Sequence, residues 1–315
     1  MNKITSQYHL RERVGSFLPN PPAHAGGTDL PLLAMLIETI TSRQNPFVKR
    51  LISARQGRER HMLFVEGIRL VEDLLNTSLH VDAIAYSPVL HDTDRGQALY
   101  DRIQTLPCRG TLLTEKLMHS VSGVETPQGI IALAHRLHFD LTDVIEDVTP
   151  QLLIFADGLQ DPGNLGALIR TAEATRTTGV ITSRQSVDPF QAKALRSSAG
   201  SAFRLPIATH QQTPQVLEKA RKAGIRIVTA DAKAPMLFSE YDWTQPTLLW
   251  LGSEGNGLPN EALQTADTSV RIPMAGQLES LNITVATAIL LYEAARQRTS
   301  LQAHIPQPPQ GETLN

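Results

Sequence analysis

Cysteine is almost missing from this sequence of 315 residues, since Cys108 is the only one. One thiol excludes an intrachain disulfide and a thiolate metal cluster, and it favours a reducing, cytoplasmic setting. Long apolar runs are missing too, and none approaches the roughly 20 residues of a membrane-spanning helix. The opening residues, MNKITSQYHLRER, lack the apolar core of a signal peptide. We therefore expect a cytoplasmic protein with no membrane partner.

An excess of either charge is also missing, because 29 basic and 31 acidic residues give a net charge of −2. The basic residues are nevertheless unevenly distributed. Between residues 43 and 69 only Glu59 and Glu66 oppose them, and the basic side chains there are Arg43, Lys49, Arg50, Arg55, Arg58, Arg60 and Arg69. Such a charge run is often just a solvated helix face. It is also typical of a surface that binds nucleic-acid phosphates, so both interpretations stay open.

Three segments differ in composition from the rest of the chain. Residues 1–34 contain NPPAHAGGTDLP and no sustained periodicity, which predicts a flexible tail. Met35 opens the first organised sequence, so an upstream start assigned in error is one interpretation of this tail. Residues 138–150 are polar and acidic and predict a linker. Residues 299–315 contain IPQPPQG and predict a disordered end.

The two stretches between these segments predict two α/β domains. In residues 35–137, helices alternate with the strands MLFVEG, VDAIAYS, TLLT and GIIALAH, which indicates a small α/β domain. In residues 151–298, helices alternate with the short apolar strands QLLIFADG, GVITS, IRIVTAD, TLLWLG and VRIPM. Fully apolar strands are typical of a mostly parallel sheet that is covered by helices on both faces.

Three polar loops of the second domain each join an apolar strand to a helix. They lie in DGLQDPGNLGALIRTAEA from Asp157, in LLWLGSEGNGLPNE from Leu248 and in RIPMAGQLESLNITVATA from Arg271. Ligands of open parallel sheets bind beyond the carboxyl ends of the strands, so these loops predict a site for a nucleotide-like cofactor. A plainer interpretation is that Asn164, Ser280 and Asn282 only cap helices and that Arg170 is a solvated side chain.

Other chemistries fit the sequence less well. Gly252, Gly255 and Gly257 follow a strand, but their G-x-x-G-x-G spacing is reversed relative to the dinucleotide-binding fingerprint. The P-loop pattern is absent from the sequence. The ten histidines are scattered, and His135 and His138 are expected in the linker without partnering carboxylates at ligand spacing, so no metal is expected. The spacing supports no Ser-His-Asp arrangement either.

Three motifs, in this order, resemble those of the SpoU or TrmH-type RNA 2′-O-ribose methyltransferases of the SPOUT class. They are N-x-G-x-x-x-R-T from Asn164, G-S-E-G-x-G-L from Gly252 and I-P-M-x-G-x-x-E-S-L-N from Ile272. The stretch KALRSSAGSAFRLP from Lys193 is similar to the same family. At the front of the chain, SRQNPFVKRL followed by FVEGIRLVEDLL resembles the small L30e-like RNA-binding domain of the ribosomal-RNA branch. The resemblance covers residues 37–298.

The resemblance implies an L30e-like α/β domain followed by a mostly parallel α/β catalytic domain with a C-terminal trefoil knot. It also implies S-adenosylmethionine as cofactor and a homodimer. The catalytic residues that it implies are Asn164, Arg170, Glu254, Ser280 and Asn282. The cofactor-binding residues that it implies are Gly252, Ile272, Met274 and Leu281, although Ile272 and Leu281 could equally be core residues. In the first domain it implies RNA contacts at Arg43, Asn45, Lys49, Arg58 and Arg60.

The expected reaction is methyl transfer to a ribose 2′-hydroxyl of RNA. The additional basic domain favours large-subunit ribosomal RNA, because it would add phosphate contacts to a structured substrate. Two alternatives remain at the level of the sequence. One is a transfer-RNA ribose methyltransferase, and the other is a non-catalytic RNA-binding protein that kept this fold.

Overall fold

The computed structural model describes residues 39–108, 110–146, 151–255, 257–276 and 280–303. The predicted tail at residues 1–34 lies outside these ranges, and so do residues 304–315 of the predicted disordered end. Residues 299–303 belong to the last helix, which continues to Ala303.

The first domain is built from four helices and four strands within the described ranges. In chain order they are α1 (Pro46–Arg55), β1 (Met62–Glu66), α2 (Ile68–Leu75), β2 (Val81–Tyr86), α3 (Asp94–Gln104), β3 (Gly110–Leu112), α4 (Glu115–Val121) and β4 (Ile130–His135), with a short 3-10 helix at Pro88–Asp92. The four predicted strands are therefore confirmed. The sheet order is β1-β4-β2-β3, in which β4 runs antiparallel to both neighbours and β3 runs parallel to β2.

The second domain follows with seven strands and six helices in the described ranges. They are α5 (Leu141–Glu146), β5 (Leu152–Ala156), α6 (Pro162–Ala174), β6 (Gly179–Ser183), α7 (Ala192–Ser198), β7 (Ile207–Gln211), α8 (Thr213–Lys222), β8 (Arg226–Ala230), β9 (Met236–Leu237), β10 (Thr247–Leu251), α9 (Asn260–Thr265), β11 (Thr268–Arg271) and α10 (Ile283–Ala303). A 3-10 helix at Ser201–Phe203 links α7 to β7.

All seven strands of the second sheet are parallel, in the order β7-β6-β5-β10-β8-β11-β9. Every residue of the three strands β5, β6 and β10 is buried, as expected for a parallel sheet covered on both faces. The predicted α/β fold class is confirmed. Strand β11 ends at Arg271 rather than at Met274, because Pro273 has no N–H to continue a ladder.

The apolar faces of the helices explain how the second domain packs. Helix α6 buries the predicted stripe of Leu165, Leu168, Ile169 and Ala172 completely. Gly166 on the same helix lets α7 approach, since a Cβ there would lie 2.4 Å from the Ala194 carbonyl oxygen. The helix that carries two predicted catalytic residues is therefore held rigidly between the sheet and α7.

The segment predicted as a linker contains structure of its own. Helix α5 occupies residues 141–146 and buries Val144 and Ile145, which pack in one core cluster with residues of β5, β6 and α8. Two apolar residues among acidic ones are a weak sequence signal, but they suffice to dock one turn and a half of helix. The predicted boundaries of the two domains stay a prediction.

Two polar contacts join the domains on the side of α7. Arg136, just after β4, donates hydrogen bonds to Asp188 (3.2 Å) and to the Thr209 hydroxyl (2.8 Å), and its guanidinium lies 4.0 Å from the centre of the Phe190 ring. Arg196 on α7 lies 3.7 Å from the buried Glu66 carboxylate at the end of β1. Within the described ranges, no helix combines the length and the apolar character needed to cross a bilayer.

Candidate active site

The first polar loop places Asn164 on the first turn of α6, and its side chain does not cap the helix. Asp161 is the N-cap of this helix, and its Oδ1 accepts a hydrogen bond from the Asn164 N–H (2.8 Å). Pro162 occupies the first helical position, where a missing N–H costs nothing. The interpretation of Asn164 as an N-cap is therefore wrong, because Asp161 already fills that position. The carboxamide of Asn164 is available for other contacts.

The second polar loop brings Glu254 to the start of α6. Its carboxylate accepts hydrogen bonds from the N–H groups of Gln160 (3.3 Å) and Asp161 (3.2 Å) and from the Asn164 side-chain amide (3.4 Å). A carboxylate at the N-terminus of a helix is stabilised by the free N–H groups and by the helix dipole. Glu254 thus ties the loop after β10 to the loop after β5.

The third polar loop completes the cluster at α10. Asn282 caps this helix, since its Oδ1 accepts from the Thr284 N–H (2.9 Å), and its Nδ2 donates to Asn164 Oδ1 (3.4 Å). The Thr284 hydroxyl donates to the same Asn164 oxygen (3.3 Å). Capping and cluster formation are therefore combined in one residue. The three loops meet at Asn164, as expected for the carboxyl edge of a parallel sheet.

Gly252 is required by the shape of the second loop. The Ser253 and Gly257 backbones bond to each other (3.2 Å and 3.0 Å), which closes a tight loop immediately after β10. A Cβ on Gly252 would lie 2.3 Å from the carbonyl carbon and oxygen of Gly257 and 2.5 Å from the Leu258 nitrogen. No side chain fits in that space. The first requirement for glycine at position 252 is therefore that the loop can fold.

The remaining predicted cofactor residues surround the same edge. Ile272, Met274 and Leu281 are partly buried, and Ile272 packs against the main core. Ser280 is exposed and makes no hydrogen bond with any described residue. Among the described residues, none has an atom within 4 Å of the place where a Cβ on Gly276 would lie, so a ligand could approach this backbone closely.

Arg170 stands apart from the Asn164 cluster. It lies six residues further along α6, about 9 Å along the helix axis, and it is exposed. It makes no ion pair or hydrogen bond within the described part of the chain. A charged guanidinium with no internal partner is free to contact a phosphate.

The predicted RNA-binding residues of the first domain are at or near its surface. Arg43, Lys49, Arg58 and Arg60 are exposed and form no ion pair with a described residue. Asn45 instead caps α1, because its Oδ1 accepts from the Phe47 N–H (2.8 Å). Two other members of the basic run have internal partners, since Arg50 pairs with Asp82 and Glu59, and Arg55 donates to the Val121 carbonyl oxygen.

The contacts of His135 differ from the sequence interpretation. His135 is the last residue of β4, and its Nε2 lies 3.9 Å from the Asp82 carboxylate, so the statement that it lacks a carboxylate partner is wrong. His138 also lies 3.1 Å from Asp140. Pairing of distant strands brings Asp82 to His135, and spacing along the chain could not reveal that contact.

Three further residues belong to the site, and the sequence did not predict a role for them there. Asp161 caps α6 and also pairs with Lys193 of α7 (3.1 Å), and Thr284 bonds to Asn164. The dipeptide Asp161-Pro162 is a typical helix start and could have identified the cap. No local pattern marks Thr284, because its partner lies 120 residues away.

Glu254 is held as a carboxylate. Partial burial raises its pKa, but hydrogen bonds from its own N–H, from the Gln160 and Asp161 N–H groups and from Asn164 outweigh this effect. The net result is a pKa below the ordinary value of 4.5. Glu254 is therefore a poor general base near neutral pH, and it serves as a fixed acceptor that orders the loops.

We expect the stabilisation by Glu254 to depend on pH with a defined sign. Because its pKa is lowered by folding, its contribution is complete above about pH 4.5 and is lost as the pH falls through the folded-state value. The melting temperature of Glu254→Gln should lie below that of the wild type at pH 7, and the gap should shrink on acidification. The control is the exposed Glu125→Gln, which should melt like the wild type at both pH values. An equal gap for Glu254→Gln at both pH values would contradict this assignment.

Two family models match separate parts of the chain. Residues 151–292 match the family described as SpoU rRNA methylases, and residues 45–132 match the MRM3-like substrate binding domain. An uncharacterised tRNA/rRNA methyltransferase of Synechocystis is 34% identical over 265 residues, which cover 83% of this chain and 95% of that protein. The 23S rRNA (guanosine(2553)-2′-O)-methyltransferase RlmP of Bacillus subtilis is 30% identical over 256 residues, 81% of this chain and 97% of that protein.

Solved structures are similar over the same region. The SpoU methyltransferase AviRb of Streptomyces viridochromogenes, in complex with AdoMet, superposes with a TM-score of 0.73 at 29% identity, covering 82% of this chain and 99% of that one. An AdoMet-bound rRNA methyltransferase of Sinorhizobium meliloti gives a TM-score of 0.71 at 28% identity, with coverages of 82% and 97%. The similarity therefore includes both α/β domains.

Proposed function

Since the chain belongs to the SpoU family of RNA methylases, we propose that it transfers a methyl group from S-adenosylmethionine to a ribose 2′-hydroxyl of large-subunit ribosomal RNA. The observation that carries the proposal is the meeting of three polar loops at Asn164. Glu254 and Asn282 reach this residue from loops 90 and 118 residues away in sequence. Together they form an ordered polar site at the carboxyl edge of the sheet, where such folds bind nucleotides.

The residues at this edge fit S-adenosylmethionine. The loop closed at Gly252 and the open backbone at Gly276 offer N–H and C=O groups to an adenosine, and Ile272, Met274 and Leu281 offer an apolar wall. Small-molecule sites typically combine such apolar walls with a few convergent polar groups. When bound, the cofactor supplies an activated methyl group on a sulfonium. The sequence also predicted that no metal ion takes part, and this stays a prediction.

The protein must align the ribose oxygen and help to remove its proton. A sulfonium is already a good leaving group, so positioning supplies much of the rate. Asn164 and Asn282 offer amide groups on rigid helix starts, and Glu254 fixes the orientation of Asn164. Arg170 is not proposed as the general base, because guanidinium groups stay protonated in proteins. Its role is to hold a phosphate and to lower the pKa of the nearby hydroxyl through its positive field.

The first domain selects the RNA substrate. Arg43, Lys49, Arg58 and Arg60 present four exposed cations without internal ion pairs in the described ranges, and Asn45 stiffens the start of α1 between them. Such a surface suits recognition of structured RNA through its phosphates. RlmP, whose name states a 23S rRNA substrate, is similar along nearly its whole length. A ribosomal substrate and the single cysteine both support the proposal of a cytoplasmic protein.

The test supplies the protein with S-adenosylmethionine labelled in the methyl group and with separate pools of unmodified ribosomal and transfer RNA. We expect label on a ribose of 23S rRNA, identified by mapping the product. Label on transfer RNA alone would refute the substrate, and label on a base would refute the reaction type. Tight RNA binding without any label would favour the non-catalytic alternative.

A matched variant separates RNA recognition from chemistry. Replacing Arg43, Lys49, Arg58 and Arg60 together by alanine should weaken RNA binding and reduce its dependence on salt by about 0.7 to 0.9 log units per lost phosphate contact. S-adenosylmethionine binding should be unchanged, because these residues lie in the other domain. An unchanged salt dependence would remove the assignment of this surface to RNA.

Two further features are proposed on the same basis. The first is a homodimer, supported by Val285 (49% exposed) and Tyr292 (60% exposed), which lie two turns apart on one face of α10. Sedimentation equilibrium would test the homodimer.

The second feature is a trefoil knot of the C-terminal segment, supported by the contacts of Asn282 and Thr284 with Asn164. A crystal structure that traces residues 252–282 continuously would test the knot.

A further inference from the structure

Three histidines lie side by side at one end of the first sheet. His61 directly precedes β1, His135 ends β4 and His80 directly precedes β2, and these three strands are neighbours in the order β1-β4-β2. The His135 N–H donates to the His80 carbonyl oxygen (2.9 Å), so these two residues face each other across the strands. The His135 ring centre lies 5.2 Å from that of His80 and 6.1 Å from that of His61. The sheet therefore gathers histidines that are scattered in sequence.

A carboxylate lies close to two of these histidines. Asp82 lies where the pairing of β2 with β4 shifts by one residue between Val81 and Ala83, which leaves it as the extra residue of a bulge. Its carboxylate oxygen lies 3.9 Å from His135 Nε2, and one ligand atom each from His80, Asp82 and His135 lie within 4.8 Å of one another. All three side chains are at least partly exposed, so an ion could reach them.

Arg50 holds the Asp82 carboxylate in this orientation. Its guanidinium bonds to Oδ2 (2.5 Å), which leaves Oδ1 facing His135. Arg50 also lies 3.5 Å from Glu59, so this group contains one positive and two negative charges and is negative by one. Counted over Arg50, Asp82 and Glu59 alone, the arginine therefore does not make this group positive. Hydrogen bonds that orient a ligating carboxylate in this way commonly accompany metal sites.

We propose that His80, Asp82 and His135 form a binding site for a divalent transition-metal ion, represented by Zn²⁺. Imidazole nitrogens and one carboxylate oxygen are a typical ligand set for such ions. Metal–ligand bonds of about 2.0 to 2.2 Å place tetrahedral ligands roughly 3.4 Å apart. Small rotations of these exposed side chains would shorten the present separations of 3.9–4.8 Å between ligand atoms to that value. Water completes the coordination. The site lies in the first domain and is independent of methyl transfer.

The experiment titrates Zn²⁺ into metal-free, tag-free, full-length protein and follows the heat of binding. We expect one high-affinity ion per chain and a higher melting temperature with the ion. His80→Ala and His135→Ala should each weaken binding at least about tenfold, since each removes one of three protein ligands. Asp82→Asn should weaken binding too, because it removes the anionic ligand.

The control is His119→Ala, which removes an exposed histidine on α4 of the same domain. It should bind Zn²⁺ like the wild type. Titration with Co²⁺ adds a spectroscopic readout, because the intensity of its visible absorption reports the coordination geometry. The proposal is overturned if the wild type binds no ion, or if His80→Ala and His135→Ala bind as well as His119→Ala.

Discussion

Arg170→Ala is expected to lower kcat for methyl transfer by at least about 100-fold, the usual cost of removing one preorganised group that stabilises charge at a reacting centre. The affinity for S-adenosylmethionine should stay within about twofold, because Arg170 lies outside the three loops that we propose as the cofactor site. The fold should be unaffected, since this exposed side chain has no internal partner in the described ranges. Single-turnover methylation and calorimetry measure the two quantities separately.

The control for Arg170 is Arg226→Ala. Arg226 is also exposed, but it lies at the first position of β8, at the opposite edge of the sheet from the polar loops. Its replacement should leave kcat unchanged. Arg170→Lys should restore part of the activity, because lysine keeps the charge but loses the planar fork. Full activity of Arg170→Ala would refute the catalytic role.

Gly252→Ala is expected to weaken cofactor binding by at least about 100-fold, or about 2.7 kcal/mol. A single added methyl group would lie 2.3 Å from the Gly257 backbone, and backbone atoms cannot move aside as a flexible side chain can. The loop after β10 would have to open, and Glu254 would lose its hydrogen bonds to the start of α6. Calorimetry with S-adenosylmethionine measures the affinity.

The matched control lies three residues further along the same loop. A Cβ on Gly255 meets no atom of the described part of the chain within 4 Å, so Gly255→Ala should keep cofactor affinity within a few-fold. Circular dichroism should show both variants folded, because only the loop after β10 changes. If Gly252→Ala bound the cofactor like Gly255→Ala, the steric explanation of the loop would be wrong.

The local order of the chain could be predicted from the sequence because it depends on near neighbours. Apolar runs with short polar loops indicated the buried parallel strands, and β5, β6 and β10 are indeed buried at every position. The spacing of Leu165, Leu168, Ile169 and Ala172 predicted the buried face of α6, which the structure confirms. The three motifs also pointed to the right family. Each of these signals is contained within one element or one loop.

Helix boundaries were less predictable because capping groups compete for the same free N–H groups. Asn164 and Asp161 are both good N-caps by residue type. The structure selects Asp161, and this choice frees Asn164 for Glu254 and Asn282. Helix α5 was missed for a similar reason, since its two buried residues become informative only when a sheet is present for them to pack against.

The sequence by itself determined the order of most strands and helices, the buried stripe of α6 and the identity of the polar loops, because periodicity and turn chemistry act over a few residues. Only the tertiary structure decided which loops meet. The contacts of Asn164 with Glu254 and Asn282, and of His135 with Asp82, join residues that are 53 to 118 positions apart. Such contacts follow from the order in which strands pair within a sheet, and no local pattern encodes that order.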